Sequence, residues 1–208
     1  MELSPDVQTR VVNVRGRLGR VGGQPWPGDV SIGSVDTGGK SVSAAVSSNG
    51  SFKAEYRFTS EAGLWGECSP TLHTLAATLK NGERREVTFG FRQIGARGRQ
   101  LTINAQKLFL RGALDCAIFP KSGHPPTDVP SWKRVFGFIK ARGLNHGRYH
   151  SWCPPEAAFV AADEMGVYLQ VEVASWPNQS TTLGDGKPVD AWIDAETARI
   201  LRAYGNHP

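Results

Sequence analysis

The chain reads as two folds in series, an all-β region followed by a parallel α/β region, and three observations predict this. From about Val7 to Gln93, short apolar runs alternate with period two between glycine-rich turns, with no helical period. Beyond Gly95-Ala96-Arg97-Gly98 the period changes, and strand-like runs alternate with helical ones. The stretch from Gly143 to Trp176 parses as strand, loop, helix, strand, the repeating unit of a parallel sheet.

In the first region, Val11-Val12-Asn13-Val14-Arg15 is apolar-rich, and Val30 to Val35 and Val42 to Val46 alternate. Asn49-Gly50 is a hairpin turn signal ahead of the cleanly alternating Phe52 to Phe58. Leu72 to Leu79 and Glu86 to Ile94 flank a second such signal, Asn81-Gly82. Six or more short strands predict a β-sandwich of immunoglobulin-like size, with a jelly roll as the competing topology. The expected domains are 1–95 and 96–208.

In the second region, Leu101 to Asn104 and Lys107 to Arg111 read as a short hairpin and the first buried strand. Asp128 is a candidate N-cap for a helix that carries Trp132, Val135, Phe136 and Ile139 on one face. Leu144 to Tyr149 is the second strand. Pro154-Pro155-Glu156 opens a helix with a small apolar face, and Gly166 stops it. Val167 to Val171 is the third strand, and Ala191 to Leu201 a third helix. Three strands, each followed by a helix, make an incomplete sheet. The third helix calls for a fourth strand, so we read the chain as cut within a larger α/β domain. A complete small protein would leave an open sheet edge and an uncovered apolar helix face.

Bulk properties exclude several function classes. A net charge of +5 is only mildly basic, and the arginines, from Arg10 to Arg99, are dispersed without interleaved aromatics, which argues against nucleic-acid binding. No apolar run is long enough to span a membrane, and MELSPDVQTR is not a signal peptide. Cys68, Cys116 and Cys153 form neither a disulfide framework nor a CxxC metal pair.

Several motifs, in order, resemble the glycoside hydrolase family 2. Leu64-Trp65-Gly66-Glu67-Cys68-Ser69-Pro70-Thr71-Leu72-His73-Thr74-Leu75 is similar to that family's LWSPESPNLYTL, and Phe89-Gly90-Phe91-Arg92 to its FGFR. Leu108 to Gly112 resembles its first barrel strand and Asn145 to Arg148 its N-x-x-R. Asp163 to Tyr168 resembles CDEYGLYV, and Tyr204-Gly205-Asn206-His207-Pro208 the RNHPS ahead of the fourth strand. The resemblance implies an immunoglobulin-like sandwich followed by about three βα units of an incomplete (β/α)8 TIM barrel. It further implies a fragment of a retaining exo-glycosidase acting on oligo- or polysaccharides, of β-galactosidase, β-glucuronidase or β-mannosidase type. Both catalytic glutamates would follow Pro208, so this chain alone is expected to be inactive. Its partners would be a carbohydrate substrate and the remainder of its own polypeptide, with no cofactor, in a bacterial protein of the periplasm, the exterior or the cytoplasm. The alternative is a non-catalytic carbohydrate-binding or adhesion protein whose barrel has lost its glutamates.

By the same resemblance, Arg148 matches the arginine that hydrogen-bonds the nucleophile's carboxylate, and Glu172 the glutamate of the DEAN stretch, which could orient Arg148 or a sugar hydroxyl. Their bland reading is an ion pair within the fold. His150 and Trp152 stand in a departure from the family's His-Tyr-Pro, where imidazole can bond a hydroxyl and indole can stack on a sugar, or both can simply pack the loop. Asp115, in a loop that also departs from the family, could hold a hydroxyl or cap its own loop. Some family members bind a divalent ion where this chain has Trp176 and Asn178. An indole and a neutral amide suit a hard cation poorly, so no metal is expected and Trp176 becomes a candidate sugar platform. Cys116 and Cys153, at neighbouring strand ends, are expected to be buried free thiols.

Overall fold

The structure is a computed structural model that describes residues 1–19, 28–176 and 182–208. Two compact units emerge. One comprises 1–66, 71–107 and Pro208, the other 67–70 and 108–207.

The first unit holds two antiparallel sheets. One has the order β1-β2-β5, from β1 (Glu2–Pro5), β2 (Val11–Arg17) and β5 (Ser51–Arg57). The other has the order β4-β3-β6-β7, from β3 (Asp29–Ser34), β4 (Val42–Ala45), β6 (His73–Thr78) and β7 (Arg84–Phe89). The period-two pattern shows in the burial: Val12 and Val14, then Val30 and Ile32, are buried between exposed or half-buried neighbours, and His73 and Leu75 are buried on either side of half-buried Thr74, with Ala76 buried next to them. These inward residues from both sheets form one core with Phe52, Tyr56, Phe58, Phe89 and Phe91. Burying each large apolar side chain stabilises by about 1.5–3 kcal/mol. The buried His73 ring joins the aromatic cluster, and its Nε2 lies 2.9 Å from the Gly63 carbonyl.

The two Asn-Gly signals come out differently. Asn81-Gly82 closes the β6–β7 hairpin, with Gly82 at φ 89°. Asn49-Gly50 also makes a tight turn, with Gly50 at φ 83°, but β4 pairs with β3 and β5 with β2, so this turn carries the chain from one sheet to the other. The expected hairpin there is therefore corrected. Sequence reading also missed β1, an edge strand that tolerates Pro5 at its end. A third small sheet, β8 (Ile94–Arg97), β9 (Gln100–Ile103) and β10 (Gln106–Lys107), follows and clusters with the first unit.

The second unit contains a three-stranded parallel sheet, β11 (Gly112–Asp115), β12 (His146–Tyr149) and β13 (Tyr168–Val171), in sequence order. Its first strand begins where the sequence reading ended it. Leu108 is buried but Phe109 is 66% exposed, and the parallel ladder starts only at Gly112. Helix α1 (Val129–Lys140) crosses from β11 to β12, and α2 (Glu156–Met165) from β12 to β13. Asp128 caps α1 as expected, its side chain accepting from the Ser131 N–H at 2.8 Å. Gly166 ends α2 in the left-handed region at φ 67°. A Cβ there would meet the Glu67 carbonyl oxygen at 2.7 Å, so both conformation and space demand glycine.

The strands alternate cleanly between the two faces of this sheet. Tyr149, Leu169 and Val171 pack with Trp132 and Phe136 of α1 and Ala158, Ala161 and Ala162 of α2. Gly112, Leu114, His146, Arg148, Tyr168 and Gln170 have the opposite parity, and among the described residues of the second unit no helix packs with them into the core on their face. Helix α3 (Pro188–Tyr204) is longer than expected and, among its described residues, has none that is buried. It is tied at its C-terminal end, where Tyr204 stacks on Phe159 with ring centroids 4.1 Å apart. Asp163, buried on α2, meets His207 Nδ1 at 2.5 Å.

Candidate functional site

The C-terminal ends of β11, β12 and β13 bring three loops together, and parallel sheets place ligand sites at this end. In-register pairing sets Leu114, Arg148 and Gln170 side by side in one row on the uncovered face, just below these loops. The next level, Asp115, Tyr149 and Val171, has the parity of the helix-covered face.

Arg148 and Glu172 form the centre. The Nε of Arg148 donates to Glu172 Oε1 at 2.6 Å. Gln170 Nε2 donates to the same oxygen at 3.1 Å, and the Ser151 backbone N–H to Oε2 at 2.8 Å. The Arg148 bond, supported by the Ser151 N–H, holds the Glu172 carboxyl below the usual carboxylate range, although partial desolvation opposes it. A carboxylate with three donors orients other groups and is unsuited to giving up a proton as a general acid. Ser151 sits at φ 61°, uncommon for a residue with a side chain, and the bond from its N–H to Glu172 helps hold that turn.

The other predicted residues divide. His150 and Trp176 are brought together, ring centroids 5.1 Å apart and edge to face, with Trp176 46% exposed. Trp152 is committed to the fold: its indole N–H donates to the Asp115 carbonyl at 3.1 Å, and its ring packs against Tyr149, Trp132 and Phe119. Asp115 is the last residue of β11, and its carboxylate accepts from the Ala117 N–H at 2.8 Å while burial raises its pKa. The structure does not bring Asp115 to the Arg148–Glu172 pair. Asn178 lies outside the described residues. Among the described residues no cluster of three His, Cys, Asp or Glu side chains is arranged to hold a metal ion, and no helix is long and apolar enough to cross a membrane. The cysteines are free, as expected, but not buried as expected. Cys116 is exposed, and Cys153 is half-buried with its thiol pushed up to about 11, mainly by desolvation.

Sequence reasoning missed two groups. Gln170 stands where a parallel strand would ordinarily carry an apolar residue, and that misfit was its only signal. At the opposite end of the sheet, buried Asn145 donates to Glu67 Oε2 and to the Phe109 carbonyl, and accepts from the Arg111 N–H. Arg111 also donates to Glu67 Oε1 at 3.2 Å. This network joins residues 78 apart in sequence, so nothing local announces it.

No protein-family model matches the chain. It is 28% identical over 152 residues to a β-galactosidase of Aeromonas hydrophila, a match that covers 69% of this chain and 15% of that protein. Its fold matches a glycoside hydrolase family 2 β-galacturonidase of Eisenbergiella tayi bound to galacturonate, with TM-score 0.79 and 19% identity, over 99% of this chain and 37% of that one. It also matches a β-glucuronidase of Parabacteroides merdae, with TM-score 0.75 and 20% identity, over 100% and 26%. The match therefore spans 15% of the curated relative's length and under two fifths of these structures. In the order of its motifs and in its fold, it resembles a segment of the family 2 glycoside hydrolases.

Proposed function

We propose that this chain is part of a retaining family 2-like glycosidase, comprising an immunoglobulin-like sandwich (1–95) and the first three βα units of a (β/α)8 barrel (96–208). The observation that carries the proposal is the uncovered face of a parallel sheet with an arginine, oriented by a carboxylate, at its C-terminal edge. Parallel strands are normally covered on both faces, and closure into a barrel would bury this one. The three-plus-four strand sandwich supports the immunoglobulin-like reading.

Retention requires two carboxylates about 5 Å apart across the scissile bond. In this reading both come from further chain, and these 208 residues hold the wall beside them. Arg148 then binds the nucleophile's carboxylate, keeping it ionised and aimed, while Glu172 fixes the guanidinium. His150 and Trp176 offer an imidazole and an apolar ring to a sugar. That pair, with Trp176 exposed, also suits the second reading, a carbohydrate-binding protein without hydrolysis.

The test is expression of the complete coding sequence and assay on aryl β-galactosides, β-glucuronides and β-galacturonides. Hydrolysis with retained configuration, lost in Arg148→Ala, is the expected result. Binding of the sugars without turnover would favour the second reading, and neither would overturn both.

A further inference from the structure

We infer that Gln170 is a positioning residue that locks Glu172, so that Arg148 is held by its Nε alone and keeps its two Nη groups to receive a second carboxylate. The inference rests on the glycosidase reading for its purpose, but its geometry stands alone.

Gln170 and Arg148 are register partners on adjacent parallel strands and leave the same face of the sheet. Neighbouring strands lie about 4.8 Å apart, so the two side chains converge on one oxygen, Glu172 Oε1, at 3.1 and 2.6 Å. The other oxygen is engaged by the Ser151 N–H. An unrestrained carboxylate beside an arginine prefers the parallel two-bond arrangement, which would use an Nη group as well as another nitrogen. With Oε2 tied to the loop and Oε1 shared with the amide, Glu172 cannot swing into that arrangement. Among the described residues no acceptor engages the Nη groups of Arg148. The fork is therefore left open while its charge is balanced, as a site for another carboxylate requires. Packing offers no competing explanation, because Gln170 is exposed.

The experiment compares wild type with Gln170→Met, which keeps length and removes the donor. Leu114→Met serves as the control, because Leu114 flanks Arg148 in the same row from the other side. Two readouts are taken on the complete protein: the Arg148 Nε–Hε resonance, assigned through Arg148→Lys, and kcat and KM on the best aryl glycoside. The expected result is a shifted Nε–Hε resonance and a kcat lowered about tenfold, with KM within about twofold, in Gln170→Met. Leu114→Met should change neither. An unmoved resonance in Gln170→Met, or an equal shift in Leu114→Met, overturns the inference whatever the activity. A shifted resonance in a protein without glycosidase activity upholds the positioning and sinks the glycosidase reading instead.

Discussion

Replacing Asn145 tests the network that seats the first parallel strand. Its amide is 3% exposed and makes three bonds, from Nδ2 to Glu67 and to the Phe109 carbonyl and from the Arg111 N–H to Oδ1. Asn145→Ala strands a backbone donor and a backbone acceptor, each costing about 1–3 kcal/mol if it stays dry, and removes a donor from a carboxylate. Arg111 is 39% exposed, so water reaches part of the gap, and bonds within one network do not add. The expected loss is about 3–4 kcal/mol, read by urea unfolding of the complete protein with an unchanged m value. Asn145→Asp keeps the acceptor but turns a donor into a second acceptor facing Glu67. It should cost at least as much and be partly rescued by Glu67→Gln. A loss below about 1 kcal/mol in Asn145→Ala, or no rescue in the double variant, would refute the network as the clamp on β11.

Three further outcomes are expected. Gly166→Ala should lower stability by about 2 kcal/mol or more, because a left-handed residue with a Cβ costs about 1–2 kcal/mol before its contact with the Glu67 carbonyl is relieved; thermal melting reads this. Glu172 has a depressed pKa in the fold, so the stability it contributes is present above its ordinary pKa and lost as the pH falls through the folded value. Stabilities of wild type and Glu172→Gln, compared by denaturant titration in low salt, should therefore converge in acid, and a gap independent of pH would contradict the ion pair. Residues 1–107, with a closed aromatic core, should melt cooperatively as a monomer, whereas 108–208 should self-associate through the uncovered sheet face; gel filtration of the two pieces separates these outcomes.

Much of the fold was legible because much of it is local. The Asp128 cap, the Gly166 stop and the Asn81-Gly82 hairpin each depend on a few adjacent residues, and each appears where the pattern puts it. Asn49-Gly50 marks the limit of such reading. Its turn geometry is local and was legible, but whether the flanking strands pair with each other is decided by partners elsewhere in the chain. The first parallel strand slipped for the same reason. Leu108 to Arg111 is as apolar as a strand needs, yet the ladder forms only where β12 offers partners, from Gly112 onward. Of the candidate site, the meeting of Arg148 with Glu172 was implied by the family resemblance, whereas His150 and Trp176 were read as separate residues and only the fold pairs them. The commitment of Trp152 to its packed neighbours and of Asp115 to its own loop stood in the sequence only as one of two readings, because the choice depends on which face each side chain leaves.

By itself, then, the sequence determined the order of the elements, the change from an all-β to an α/β region and the residue types at the strand ends. Period, turn chemistry and capping are written in neighbouring residues and need nothing else. Tertiary structure alone decided which strands pair, which face of the parallel sheet stays uncovered, and that Gln170 and Ser151 share Glu172 with Arg148. A hydrogen bond needs its atoms within about 3 Å, and only folding brings together groups that lie tens of residues apart.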